Sequence, residues 1–306
     1  TLAADVESLG FEPVLTPDMS VDPMFERLAA DGGPSAAVDS ITEDVSPPTD
    51  NRPFFFQMAS LSTFLHGKGF GDNFVVRPVL VLTLLAFAVV LMALALLVVP
   101  NRMARRKGER PLPRAFSLYF AGIGLAFLLV EVSMLQRLGL FLGNPTYSLA
   151  VVLFTVLLFS GVGSMITERV VDTSRPRSLV VPLGVLAGLV VLMGNIAPWV
   201  LRSAAGSTTP ARVAIAVLLL APLSTAMGMP FVIGMRAAGW RGEPGTALMW
   251  GINGAASVCA SVLGVAIAVF FGIAATFWTG AAAYLLALVM MSRIVRAGTE
   301  SAAAPA

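Results

Sequence analysis

The chain has 306 residues, of which 57% are hydrophobic and only 12% are charged, and its mean hydropathy is +0.83. A soluble domain of this length needs roughly a quarter of its residues charged to cover its surface. The composition therefore excludes a soluble globular enzyme and a disordered chain. It predicts an integral membrane protein.

The charges are distributed unevenly along the chain. Residues 1–74 hold 12 of the 18 acidic residues, whereas most of the 20 basic residues lie in short loops between later apolar stretches. Membrane topology explains such loops, so the net charge of +2 does not indicate a nucleic-acid partner. Cys259 and His66 are the only residues of their kinds. We therefore expect no disulfide, no metal site and no cofactor.

Residues 1–50 precede the apolar part of the chain. Residues 9–15 alternate as a strand does, residues 22–30 are typical of a short helix, and residues 44–53 form a proline-rich linker. About fifty residues rarely form a stable core of their own. We expect this head to be the remnant of an α/β domain, with further sequence upstream of Thr1.

The next segment, residues 51–77, contains the aromatic cluster at positions 54–56 and His66. One interpretation is an interfacial amphipathic segment that lies on the membrane before the chain enters it. The other is that the aromatic side chains pack onto the domain expected upstream.

Seven apolar stretches are each about as long as a helix that crosses roughly 30 Å of hydrocarbon. Their continuous apolar character favours helices over a β-barrel. The predicted fold is an all-α polytopic membrane domain over residues 78–296, followed by a disordered tail at 297–306. The spans are 79–99, 115–138, 146–165, 179–200, 213–235, 248–270 and 274–292.

The loops on the two sides of this predicted bundle differ in basic residues. Thirteen lie in loops 1–2, 3–4 and 5–6 and in the tail, against four on the other side: Arg77, Arg137, Arg202 and Arg212. Basic residues favour the cytoplasmic side. We therefore predict a multi-pass protein of a bacterial inner membrane, with the C-terminus cytoplasmic and residues 1–74 outside.

Glu131 is the one carboxylate inside a predicted span. Placing a carboxylate near the bilayer centre costs at least ~2.5 kcal/mol, so such residues usually face the bundle interior or a polar cavity. The functional hypothesis is a proton- or cation-coupling site, and the alternative is a structural hydrogen-bonded pair. Asn253 of span six is the preferred partner. Arg137, six positions after Glu131, is expected at the interface or against another span.

Two further patterns concern helix geometry. Met227, Met229 and Pro230 place a proline inside span five, which predicts a kink that could line a cavity. Kinks are also common in passive membrane helices. In span six, Ala256, Ala260 and Gly264 recur every four positions and predict a stripe of small residues for close helix packing.

Four segments resemble, in order, the bacterial membrane proteins in which a spermidine-synthase-like domain is fused to multi-span helices. The resemblance covers most of residues 45–272 and implies a parent protein whose synthase-like domain precedes position 50. The glycine-rich turn that such a domain needs for its cofactor does not occur in this sequence. The four segments are 46–56 (SPPTDNRPFFF), 131–147 (EVSMLQRLGLFLGNPTY), 227–231 (MGMPF) and 250–257 (WGINGAAS).

Three functions remain open at this point. The first is a non-catalytic membrane module that anchors or scaffolds its own synthase-like domain or other membrane subunits. The second is a transporter of a small cation such as a polyamine, which would use Glu131. The third is the membrane part of an aminopropyltransferase whose active site lies upstream of residue 1. The lipid bilayer is a partner in all three.

Overall fold

The computed structural model describes residues 15–16, 19–20, 23, 48–54, 77–106, 111–243 and 245–303. The chain divides into two compact units, residues 1–48 with 54–79 and residues 49–53 with 80–306. In the first unit, strands β1 (Leu15–Thr16) and β2 (Met19–Ser20) pair antiparallel. The predicted strand at 9–15, the helix at 22–30 and residues 55–76 of the interfacial segment lie almost entirely outside the described residues.

Helices make up nearly all of the described part of the second unit. The eight described helices are α1 (Arg77–Arg106), α2 (Arg114–Leu142), α3 (Pro145–Val170), α4 (Arg177–Ser203), α5 (Thr209–Met227), α6 (Met229–Trp240), α7 (Thr246–Phe271) and α8 (Ile273–Ala303).

Among the described residues, six segments are long and apolar enough to cross a membrane: α2, α3, α4, α5 together with α6, α7, and α8. Large apolar side chains on their outer faces are exposed, Phe154 and Leu218 among them, as expected for surfaces that contact lipid. The multi-span helical membrane fold is therefore confirmed. Helix α1 contains a shorter apolar stretch, Leu80–Ala95, and a seventh span stays a prediction.

The helices extend beyond the predicted spans. Helix α1 continues to Arg106 through basic residues, and α8 continues to Ala303. The prediction of a disordered tail from 297 therefore differs from the structure over residues 297–303. The last turns of α8 have a tertiary contact, because Gly298 packs against Trp240. Hydropathy identifies only the apolar part of a helix. The helix itself continues as long as its backbone hydrogen bonds do, so it ends later than the predicted span.

Helix α2 lies at the centre of the bundle. It packs most extensively on α8 and α7, and it also contacts α3, α5 and α6. One buried cluster surrounds its C-terminal half and includes Val130, Leu138 and Phe277. A second surrounds its N-terminal half and includes Phe116 and Ile233. The side chains of α2 are therefore positioned by several neighbouring helices.

Two glycines bring α3 into backbone contact with α5 and α6. A methyl group added at Gly163 would overlap the Thr225 carbonyl, and one added at Gly228 would overlap the Ser160 carbonyl. In lipid, small residues allow helices to approach closely enough for van der Waals packing to hold them. The interruption of span five at Gly228, between α5 and α6, lies at this contact.

Candidate functional site

Glu131 lies in the C-terminal half of α2 and is half-buried. It lies within electrostatic range of Tyr284 on α8, whose side chain is fully buried. The Tyr284 hydroxyl has no hydrogen-bond partner within the described part of the chain. Glu131 is therefore a carboxylate near α8 that makes no hydrogen bond or ion pair with the other described residues.

Asn253 makes a different contact from the one predicted. Its side-chain amide donates to the Phe120 carbonyl at 3.2 Å, and the neighbouring Ser257 hydroxyl donates to the Gly124 carbonyl at 3.3 Å. Phe120 precedes Glu131 by eleven residues, which is roughly 16 Å along a helix axis. The predicted pair of Asn253 and Glu131 is not formed among the described residues. The Asn253 amide instead fastens α7 to the N-terminal half of α2.

The small-residue stripe lies against α2. Ala256, Ala260 and Gly264 are buried, and Gly264 packs near Leu129 and Val132. Gly124 of α2 is the matching small residue, because any side chain there would overlap the Asn253 carbonyl. In the structure these positions pack between α7 and α2.

Span five breaks where the proline pattern predicts. Pro230 stands in the first turn of α6, where its missing N–H costs little. Its carbonyl accepts a hydrogen bond of 2.5 Å from the fully buried Tyr119 hydroxyl. Met227 is buried beside the break and Met229 packs against the second core cluster. None of these residues lines the cavity described next.

A cavity of about 540 Å³ opens at the end of the bundle where α2 and α4 end and α5 and α8 begin. We call it the arginine cavity, because Arg137, Arg202 and Arg212 line it. Asp50 and Asn51 also line it, and its apolar lining is Leu140, Phe141, Pro198, Leu201, Ala205 and Ala274. The sequence places these arginines in two separate loop regions of one predicted side, and the structure brings them to one site.

The three arginines differ in what they already bind. Arg212 donates to the carbonyls of Ser207 at 3.0 Å, Phe141 at 3.2 Å and Ala205. Arg137 is half-buried, with its guanidinium carbon 5.5 Å from the centroid of the Phe277 ring. Its Nη1 atom is buried without a hydrogen-bond partner in the described residues. Arg202 is exposed.

Asn51 joins the linker to the turn between α7 and α8. Its backbone carbonyl accepts from the Ile273 amide at 2.9 Å, and its side-chain oxygen accepts from the Ala274 amide at 2.7 Å. The first amides of a helix have no acceptors within that helix. Asn51 supplies the acceptors for two of these amides in α8. Gly272, with φ of +93°, lets the linker approach this closely.

Sequence analysis missed part of this site. Arg202 and Arg212 were counted only as loop charges, and Asp50 and Asn51 only as linker residues. One feature of the sequence could have indicated the site. Basic residues are scarce on that predicted side, so membrane topology does not explain the few that occur there. Across the described residues, no group of three or more His, Cys, Asp or Glu side chains is placed to hold a metal ion.

Comparison of the sequence with protein-family models, with curated proteins and with solved structures gave no match. The resemblance to spermidine-synthase-like membrane proteins therefore stays a prediction from the four sequence segments.

Proposed function

We propose that the chain is a non-catalytic integral membrane module whose helical bundle anchors the polypeptide that precedes it. The observation that carries this proposal is the pair of hydrogen bonds that Asn51 accepts from the Ile273 and Ala274 amides at the start of α8. The linker is thereby held on the bundle itself rather than joined to it only through α1. A fixed exit point of this kind is what an anchor for an attached domain requires.

The packing of the bundle supports the same function. Backbone contacts at Gly163 and Gly228 and the small-residue surface of α7 join the helices closely. Close contacts of this kind favour one fixed arrangement. The domain held in this way would be the synthase-like domain that the resemblance implies, or another membrane subunit.

Asn51→Ala tests the anchor. The substitution removes the acceptor of the Ala274 amide, and a capping contact of this kind contributes about 1 kcal/mol. We expect the amides at the start of α8 to exchange with deuterium about five- to ten-fold faster in detergent-solubilised protein. Asn195→Ala is the matched control, because the Asn195 amide bonds only within its own helix.

Unchanged exchange at the start of α8 in Asn51→Ala would contradict the anchor. A second measurement addresses what is held: purification in mild detergent of the full gene product, with whatever sequence it has before residue 1. Retention of a folded upstream domain or of defined subunits in stoichiometric amount supports the module. Recovery of the helical bundle alone argues against it.

Cation transport through Glu131 is a second candidate, favoured by the position of this carboxylate beside Tyr284 inside the bundle. The arginine cavity does not support it, because its three arginines and one aspartate give it a net positive charge. Loss of polyamine uptake by vesicles that carry Glu131→Gln would favour transport over the anchor. The aminopropyltransferase alternative depends on sequence upstream of residue 1.

A further inference from the structure

The arginine cavity has no role in the proposed anchor, although Asn51 borders both. We propose that it binds an anion that carries a phosphate group, supplied either by the headgroup of an anionic lipid or by a small soluble phosphate. Three features of the cavity support this proposal: its net charge, the hydrogen bonds that its arginines do and do not make, and its apolar lining.

The formal charges of the cavity do not balance. Three arginines and one aspartate line it, which leaves an excess of two positive charges. Within the described residues, no ion pair joins Asp50 or another carboxylate to Arg137, Arg202 or Arg212. Arg212 is bound by neutral carbonyls, which orient its guanidinium without cancelling its charge. An anion in the cavity would supply the missing negative charge.

Arg137 adds a donor that lacks an acceptor. Its Nη1 atom is buried and unpaired among the described groups, while the Phe277 ring holds the guanidinium from one side. A buried donor without a partner is costly, and the cost is removed when a ligand accepts from it. Arg137 therefore brings to the cavity a guanidinium that no carboxylate among the described residues neutralises.

The kind of basic residue points to phosphate. All three cationic side chains of the cavity are arginines, whose planar groups bind phosphate oxygens through two parallel hydrogen bonds. They are also three of the four basic residues on the side of the bundle where topology disfavours positive charge. Membrane orientation therefore does not account for them, whereas a shared anion does.

The apolar lining and the position of the cavity define the rest of the ligand. Leu140, Phe141, Pro198 and Leu201 supply apolar surface beside the arginines. Arg202 lies in the last turn of α4 and Arg212 in the first turn of α5, the depth at which lipid headgroups meet the ends of membrane helices. A phosphate attached to an apolar group would contact both the arginines and the apolar lining. An anionic lipid and a small soluble phosphate share this phosphate group.

The test uses purified full chain in neutral detergent and two probes. Phosphatidylglycerol, with phosphatidylcholine as the uncharged comparison, is titrated and detected by native mass spectrometry. Inorganic phosphate is titrated by calorimetry. The variants are the double substitution Arg137→Gln with Arg202→Gln, the single Arg202→Gln, and Arg169→Gln, which removes an exposed arginine at the end of α3 outside the cavity.

We expect the wild type to bind one of the two probes and the double variant to bind it at least about ten-fold more weakly, since two charge-assisted contacts are lost. Arg169→Gln should bind as the wild type does. Selective binding of phosphatidylglycerol identifies a lipid site, and binding of inorganic phosphate identifies a soluble ligand.

Binding of neither probe overturns the proposal, and so does equal affinity in the wild type and the double variant. Thermal unfolding shows whether the double variant is folded. If it is not, Arg202→Gln replaces it, because Arg202 is exposed and makes no hydrogen bond to the other described residues. An unchanged affinity in a folded Arg202→Gln, together with equal affinity for both lipids, also overturns the proposal.

Discussion

Gly163 and Gly228 show how strongly a single residue can determine the arrangement of this bundle. At both positions the nearest atoms of the neighbouring helix belong to the backbone, at Thr225 and at Ser160. A backbone carbonyl cannot move aside as a flexible side chain can. The pairing of α3 with α5 and α6 therefore requires glycine at these two positions.

We predict that Gly163→Ala destabilises the protein by about 2 kcal/mol, because the added methyl group overpacks the contact with the Thr225 carbonyl. Gly161→Ala is the control on the same helix, where no neighbouring atom lies within 4 Å of the added methyl group. Alanine favours a helix over glycine, so the control should be neutral or stabilising by up to about 1 kcal/mol. Thermal unfolding in detergent measures both, and equal curves for the two variants would contradict the close contact.

Rarity in the sequence marks some residues of the bundle and not others. Glu131 was singled out because it is the one carboxylate in a predicted span, and the structure places it beside Tyr284. Arg202 and Arg212 were overlooked because they stand in a short loop, where charges are ordinary. Their convergence with Arg137 depends on the packing of α2, α4 and α5, which no local pattern contains.

Among the elements, the turn between α7 and α8 combines two requirements. Gly272 has φ of +93° and ψ of 161°, a conformation that is essentially restricted to glycine. It also lies against Asn51, so a side chain would meet the linker. This turn therefore sets the angle between two long helices and forms the contact surface for the linker.

We expect Gly272→Ala to cost about 1–3 kcal/mol from backbone strain, with an added loss from its collision with Asn51. Gly143→Ala is a reference for a positive-φ glycine without a collision, because Gly143 has φ of +74° with no other group within 4 Å of the added methyl group. Strain alone at such a position costs about 1 kcal/mol. Chemical or thermal unfolding of both variants is the measurement, and a smaller loss at 272 than at 143 would argue against the contact with the linker.

The elements were partly predictable. The uncharged stretch at 246–292 is 47 residues long, too long for one crossing, and the break does fall at Gly272. Asn144 caps α3 by accepting from the Tyr147 amide at 3.1 Å, as its position before Pro145 indicates. The helix ends were not predictable to the residue, because hydropathy falls at the interface while helical hydrogen bonds continue, as in α8.

For the whole molecule, the alternation of the helices places loops 2–3 and 4–5 at the same end of the bundle, around the arginine cavity. The thirteen basic residues on the other side predict that the opposite end faces the cytoplasm. The general class of membrane protein could be predicted from composition alone, since hydropathy reports burial in lipid directly. Contacts between helices could not, because lipid-facing and partner-facing apolar surfaces have the same composition.

Orientation can be tested by labelling intact cells with a membrane-impermeant maleimide. We expect Thr208→Cys, in loop 4–5, to react, and Ser174→Cys, in loop 3–4, to react only after the cells are opened. Both positions are exposed, and the natural Cys259 is buried and contributes little background. The reverse labelling pattern would contradict the orientation, whereas the fold itself would stand.

The length of α8 has a consequence for how deeply the protein sits in a bilayer. Its 31 residues measure roughly 46 Å, against a hydrocarbon core of about 30 Å. The surplus falls in the C-terminal part, where Arg293 and Arg296 begin the polar end of the helix. The helix is therefore long enough to project beyond the hydrocarbon core, and we expect Arg293 and Arg296 to lie near the phosphate layer.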